Sequence, residues 1–164
     1  MVPRIDISAL SSDSAERTRT DAAIIEAASS IGFMTISGLP PEVPIDAQSR
    51  LRQLGVFDLR PAETRKLWRQ KFDSSHRNIY RGWFPLQNGF ETYKEGIDIG
   101  PDIAFGENAV DPQDPLREAT PLPPEDALPG WHAAAAAYFR AMERVAQSLM
   151  HALARGLGLA QHIF

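Results

Sequence analysis

The sequence predicts an α+β chain in which helix outweighs strand. Three observations carry this. The chain opens as strand, helix, strand; a glycine- and aromatic-rich middle lacks helical periodicity; and a long apolar stripe at helical spacing comes near the end.

The elements follow in order. Arg4 to Ser8 alternate, with Ile5 and Ile7 on one face and Asp6 on the other, as in a short strand. Ser11, Ser12 and Asp13, followed by Glu16, offer acceptors and an acidic first turn for a helix start. That helix runs to about Ser30, and Ile24, Ala27, Ala28 and Ile31 form its expected buried stripe. Gly32 ends it. Phe33 to Ile36 reads as a buried strand, closed by Gly38 and the Pro40-Pro41 pair. A second helix is expected over Ile45 to Leu54. A short third one starts at Pro61, the favoured first helical position, and holds Leu67 and Trp68.

From Asp73 to Gly106 the glycines at 82, 89, 96 and 100 punctuate aromatic and β-branched residues, which predicts irregular strands and turns. Residues 107 to 130 carry prolines at 112, 115, 121, 123, 124 and 129 and read as an extended surface connection. The long helix follows, over about residues 131–157. Tyr138, Met142, Val145, Leu149 and Leu153 fall at steps of three and four and form its core stripe. A mostly helical layer with few strands does not close a sandwich or barrel by itself, so this helix needs a partner surface.

Composition narrows the function classes. At 164 residues the chain is expected to be one domain with a real core. Its net charge of −4 provides no basic field for nucleic acid or anionic lipid, so neither is an expected partner. The absence of cysteine excludes disulfides, Cys-zinc sites, Fe–S clusters and thiol nucleophiles within these residues. Met1 to Asp6 carry no apolar signal region, and no run reaches the roughly 18 apolar residues of a spanning helix, so a cytoplasmic location is expected.

A series of short motifs then narrows the reading. Val2-Pro3-Arg4-Ile5-Asp6-Ile7-Ser8 is followed by Ile31-Gly32-Phe33-Met34-Thr35-Ile36 and Gly38-Leu39-Pro40. Phe57-Asp58-Leu59-Arg60-Pro61-Ala62-Glu63-Thr64-Arg65-Lys66 comes next, then Arg81-Gly82-Trp83-Phe84-Pro85 and Lys94-Glu95-Gly96-Ile97-Asp98-Ile99-Gly100. Pro115-Leu116, Leu128-Pro129-Gly130-Trp131 and Leu153 to Leu159 complete it. In order and spacing, from Val2 to Phe164, this series resembles the N-terminal region of the 2-oxoglutarate- and Fe(II)-dependent oxygenases of the isopenicillin N synthase-like family. Ser37 stands where that family's turn commonly has histidine, and Trp83 replaces a commoner tyrosine.

The resemblance implies that residues 1–164 are the N-terminal helical and partial-sheet portion of a double-stranded β-helix (jelly-roll) enzyme, incomplete on its own. Fe(II) and 2-oxoglutarate would then be cofactors of the complete enzyme, with none expected to bind this chain alone. A small-molecule substrate and the missing C-terminal jelly-roll half would be its partners. In that family a His-x-Asp pair plus a distant histidine hold the iron, and an Arg-x-Ser pair holds 2-oxoglutarate. Here none of His76, His132, His151 or His162 begins a His-x-Asp or His-x-Glu, and no Arg-x-Ser occurs. No catalytic or metal residue is therefore assigned. His76, Asp73 and Asp98 are the one rival iron grouping within the loop region.

The middle segment lies over the active-site mouth in the family, which makes Arg81 and Trp83 candidate substrate contacts. Arg81 would offer a bidentate fork and Trp83 an apolar wall. The competing structural reading pairs Arg81 with Glu95 or Asp98 and places Trp83 in the core. Three functional readings stay open at this stage: an oxygenase using 2-oxoglutarate, an isopenicillin N synthase-type oxidase without it, and a non-catalytic remnant that binds a partner through its helix stripe. A small-molecule-binding module based on Arg81 and Trp83 ranks below these.

Overall fold

In a computed structural model describing residues 1–86, 94–106 and 110–164, β1 (Arg4–Asp6) and β2 (Thr35–Ser37) pair in parallel, with Ile5 opposite Ile36. Parallel neighbours need a crossover, and α1 (Ala15–Ser30) supplies it. Gly89 and residues 107–109 of the proline-rich connection lie outside the described residues. The chain divides into two compact units: Met1–Val43 with Ala141–Phe164, and Pro44–Arg140.

In the first unit, α1 begins one residue later than the expected acceptors. Ser14 is its N-cap and accepts from the Arg17 amide at 3.4 Å, while Ser8–Ser11 form a 3-10 turn. Asp13 instead pairs with the Arg17 side chain at 2.5 Å. The buried face of α1 also differs from the expected stripe. It is Thr20, Asp21, Ile24 and Ala27, whereas Ala28 and Ile31 are exposed. Steps of four and three from Thr20 reach Ile24 and Ala27; Ala28 lies about 100° further around, and Ile31 is already the C-cap. Phe33 is likewise 72% exposed instead of buried. It precedes the first paired residue of β2, so the three-residue strand gives it nothing to pack on.

Gly38 closes β2 at φ +69, and a Cβ there would run into the Asp6 carboxylate and approach the Ser8 amide at 3.1 Å. The turn therefore needs both glycine's left-handed backbone and its missing side chain. Asp6 accepts from the Ser8 amide at 2.9 Å, and its hydrogen bonds to Ser8 hold its pKa below the ordinary aspartate value.

The core of this unit joins Ile5, Ile7, Ile24, Ala27 and Val43 to Ala141, Val145 and Ala152 of the long C-terminal helix (Trp131–Gly156). Met142, Leu149 and Leu153 pack against it half-buried, so the expected stripe does face a core, with alanines at its most buried points. Arg155 closes the arrangement with a bidentate bond to Asp21, both contacts 2.8 Å. Asp21 is only 6% exposed. The Asp21 hydrogen bonds raise the Arg155 pKa above its ordinary value.

In the second unit, α2 (Ala47–Leu54) is capped by Asp46, which accepts from the Ser49 amide at 3.0 Å. Pro61 does open α3 (Pro61–Arg65), but this helix ends too early to hold Leu67 and Trp68. These two belong to a strand-like stretch. The Trp83 amide donates to the Leu67 carbonyl at 2.6 Å, and the Arg69 amide donates to the Trp83 carbonyl at 3.0 Å. A helix over Leu67 and Trp68 would forfeit both bonds. β3 (Gly82–Phe84) and β4 (Gly96–Asp98) pair antiparallel, Trp83 opposite Ile97. The short α4 (Asp102–Phe105) follows, and the long C-terminal helix is α5.

The proline-rich connection is more than a surface strap. Thr120 is buried, accepts from the Gly100 amide at 2.8 Å and donates to Asp102 at 2.7 Å. Leu122 and Leu128 pack on a core of Val56, Leu67, Trp83, Ile103, Trp131, Ala135 and Ala136. Proline removes backbone donors, so such a segment can lie against a core with few amides left to satisfy. The Trp131 indole, 3% exposed, spends its N–H on the Gln53 carbonyl at 2.9 Å.

Replacing Asp21 by Asn leaves Arg155 facing a neutral amide in a nearly closed site. We expect a loss of about 3 kcal/mol in urea unfolding, the cost of breaking a buried ion pair on one side; a change below about 0.5 kcal/mol would place the pair among inert surface bridges.

Candidate functional site

The candidate site is built on the β3–β4 hairpin and the stretch that precedes it. Arg81 stands just before β3, half-buried. One terminal nitrogen donates to the Leu116 carbonyl and the other to the Tyr80 carbonyl at 3.4 Å. Its Nε is buried with no acceptor. Gly100 makes the room for it, since a Cβ there would lie 2.5 Å from that Nε.

Neither pairing expected of Arg81 forms. Asp98 pairs with Arg69, and Glu95 is exposed with no ion pair among the described residues. Arg69 reaches both strands of the hairpin: it bonds Asp98 on β4 and lies over the Phe84 ring of β3, 4.8 Å from its centroid. Burial lowers the Arg69 pKa, and the nearby Arg81 charge lowers it further. Nothing in the sequence flags Arg69, because its partners come from two strands distant in the chain. Pairs three or four residues apart on one helix are the kind that local spacing reveals.

Trp83 is 3% exposed and packs against Phe57 with ring centroids 5.1 Å apart. It is a core residue, and the wall it was expected to offer a substrate faces inward. Apolar surface is available elsewhere on the same unit. Alternation along β4 puts Ile97 and its successor Ile99 on the side opposite Asp98. There they line a shallow hollow of about 310 Å³ with Leu54, Phe57, Trp131 and Tyr138. The hairpin thus separates two chemistries: guanidinium groups and a carboxylate on one side, an apolar trough on the other.

The histidines do not assemble a metal site. Asp73 is occupied by the Ser75 hydroxyl at 2.6 Å and by Arg65 at 3.3 Å, and Asp98 by Arg69, which dissolves the grouping with His76. His151 and His162 meet edge to face at 4.9 Å, with the Gln161 amide 3.5 Å from His151 Nδ1. Among the described residues no three of His, Asp and Glu converge on one point. They do not fit a 2-His-1-carboxylate set, and no step is routed through iron on this chain. Among the same residues no helix is long and apolar enough to cross a membrane.

If Trp83 is core, Trp83→Ala should cost about 3–5 kcal/mol in thermal or urea unfolding, and Trp83→Phe far less. A near-neutral alanine variant would contradict its placement against Phe57.

No family model and no curated protein matches the sequence. Solved structures do. A full-length Neurospora crassa thymine hydroxylase in complex with alpha-KG superposes with a TM-score of 0.76 at 18% identity, over 99% of this chain and 49% of that one. The C-terminal truncated apo form of the same protein gives 0.70 at 21% identity, over 99% and 55%. The full-length protein with alpha-KG and thymine gives 0.65 at 18%, over 99% and 50%. The likeness is one of fold, carried by nearly all of this chain onto about half the length of its neighbours.

Proposed function

We propose that these residues are the helical, partial-sheet portion of a 2-oxoglutarate- and Fe(II)-dependent oxygenase that oxidises a small organic molecule with O₂. The observation that carries the reading is the likeness along the whole chain to a protein crystallised with alpha-KG, which is 2-oxoglutarate. The ordered motif series from Val2 to Phe164 points the same way. Iron and 2-oxoglutarate would be held by residues beyond these, in a jelly-roll half, and would there supply the oxidant.

This chain's own contribution is to shape the substrate's surroundings. Arg81 is its polar contact. The 3.4 Å bond to the Tyr80 carbonyl is long for a charge-assisted bond, so a carbonyl or carboxylate of a substrate can displace it at small cost. Arg69 positions the hairpin by tying Asp98 to Phe84. The trough of Ile97, Ile99, Phe57 and Tyr138 supplies apolar cover, which is how most small-molecule sites are walled. Thymine, present in one of the similar structures, is the natural first probe.

The test is succinate release by the native polypeptide supplied with Fe(II), 2-oxoglutarate and O₂, with thymine and related small heterocycles as candidate substrates. Turnover that needs both Fe(II) and 2-oxoglutarate supports the reading, and residues 1–164 alone should show none. No 2-oxoglutarate dependence under any of these conditions would overturn it. In the active protein, Arg81→Ala should raise the substrate KM about tenfold or more with the 2-oxoglutarate KM unchanged, the loss of one charge-assisted bond. If only thermal stability fell, Arg81 would be a structural residue.

A further inference from the structure

β1 and β2 form a parallel sheet of two three-residue strands. Parallel strands occur almost only inside larger, covered sheets, and a two-stranded sheet is at best marginally stable alone. The hydrogen bonds show which edge is open. The Thr35 amide donates to the Pro3 carbonyl and the Ser37 carbonyl accepts from the Ile7 amide, both at 2.9 Å. Both residues therefore face β1, and alternation turns the N–H and C=O of Ile36 the other way.

The two outer edges differ in character. β1 carries Arg4 and Asp6, charges of the kind that guard an edge against pairing. β2 is Thr35-Ile36-Ser37, without charge, and the residues leading into it, Ile31 and Phe33, are exposed apolar side chains. An uncharged open edge beside exposed apolar groups is a template for another strand. The solved structures of like fold are about twice as long as this chain, so chain beyond these residues is available to supply one.

We propose that β2 is an inner strand of a wider sheet, its Ile36 edge paired by a strand of the same enzyme lying outside residues 1–164. Phe33 and Ile31 would then be covered by the elements that accompany that strand. The inference rests on the oxygenase reading above for the source of the strand, and on the β2 edge for its place.

Residue-resolved amide exchange on the native polypeptide tests it, with Thr35 and Ser37 as internal references because their backbones already bond to β1. The expected result is an Ile36 amide protected to within about tenfold of Thr35, as the members of one cooperative unit are. Exchange of Ile36 at the rate of an open peptide, with Thr35 and Ser37 still protected, would overturn the proposal. So would fast exchange at all three, since no sheet would then form. A native mass of 18.1 kDa would also overturn it, because no further strand of the same chain would exist. Protection at Ile36 in a protein without 2-oxoglutarate turnover would instead sink the oxygenase reading and leave the strand pairing standing.

Discussion

Small residues on one long helix are the constraint on which the rest of the structure depends. In α5, Ala135 and Ala136 are buried in one core, and Ala141 and Ala152 in the other. Alanine lets the neighbouring element approach closely and is also the best helix former. Larger groups then interlock around each contact: Trp131 and Phe57 on one side, Ile5, Ile24 and Val145 on the other. A leucine at Ala141 or Ala152 would have to displace neighbours that already fill the space, and overpacking of that kind costs about 1–3 kcal/mol. Helix length, burial and closeness of packing thus all follow from one run of the sequence.

Polar groups decide orientation where apolar packing does not. Asp21 and Arg155 fix α1 to the last turn of α5 through two charge-assisted bonds of defined geometry. Thr120 and Asp102 do the same for the proline-rich connection, which would otherwise slide over an apolar surface. In the hairpin, Arg69 holds a carboxylate and an aromatic ring from different strands. Removing Asp98 would leave Arg69 beside the Arg81 charge without its carboxylate, so the two arginines depend on Asp98 even though only one of them touches it.

Much of this is legible in the sequence, and the misses have physical causes. The strand–helix–strand opening, the helix starting at Pro61 and the long helix from Trp131 all appear where periodicity and punctuation put them. Local signals suffice for such elements. The sequence points to burial of Ala28, Ile31 and Phe33, which does not occur, because which apolar residue is buried depends on what packs against it. Leu67 and Trp68 lie outside the third helix for the same reason: their backbone is claimed by Trp83 and its neighbours, partners far along the chain. At the candidate site, Arg81 and Asp98 stand out in the sequence but their partners do not, since Arg69, Leu116 and Gly100 reach them only through the fold. Trp83 illustrates the converse, an aromatic residue in a functional-looking motif whose ring is needed to fill a core.

The reading as a whole turns on a single claim, that a fold matching half of a protein crystallised with 2-oxoglutarate works as part of a larger catalytic unit. Its exposed Leu54, the trough beside it and the open edge of β2 are surfaces that such a unit would cover. The most direct test is the intact mass of the polypeptide in its source cell, measured by mass spectrometry. A mass well above 18.1 kDa, with sequence continuing past Phe164, is the predicted result. A mass of 18.1 kDa would contradict the account and turn attention to a partner protein on the same surfaces.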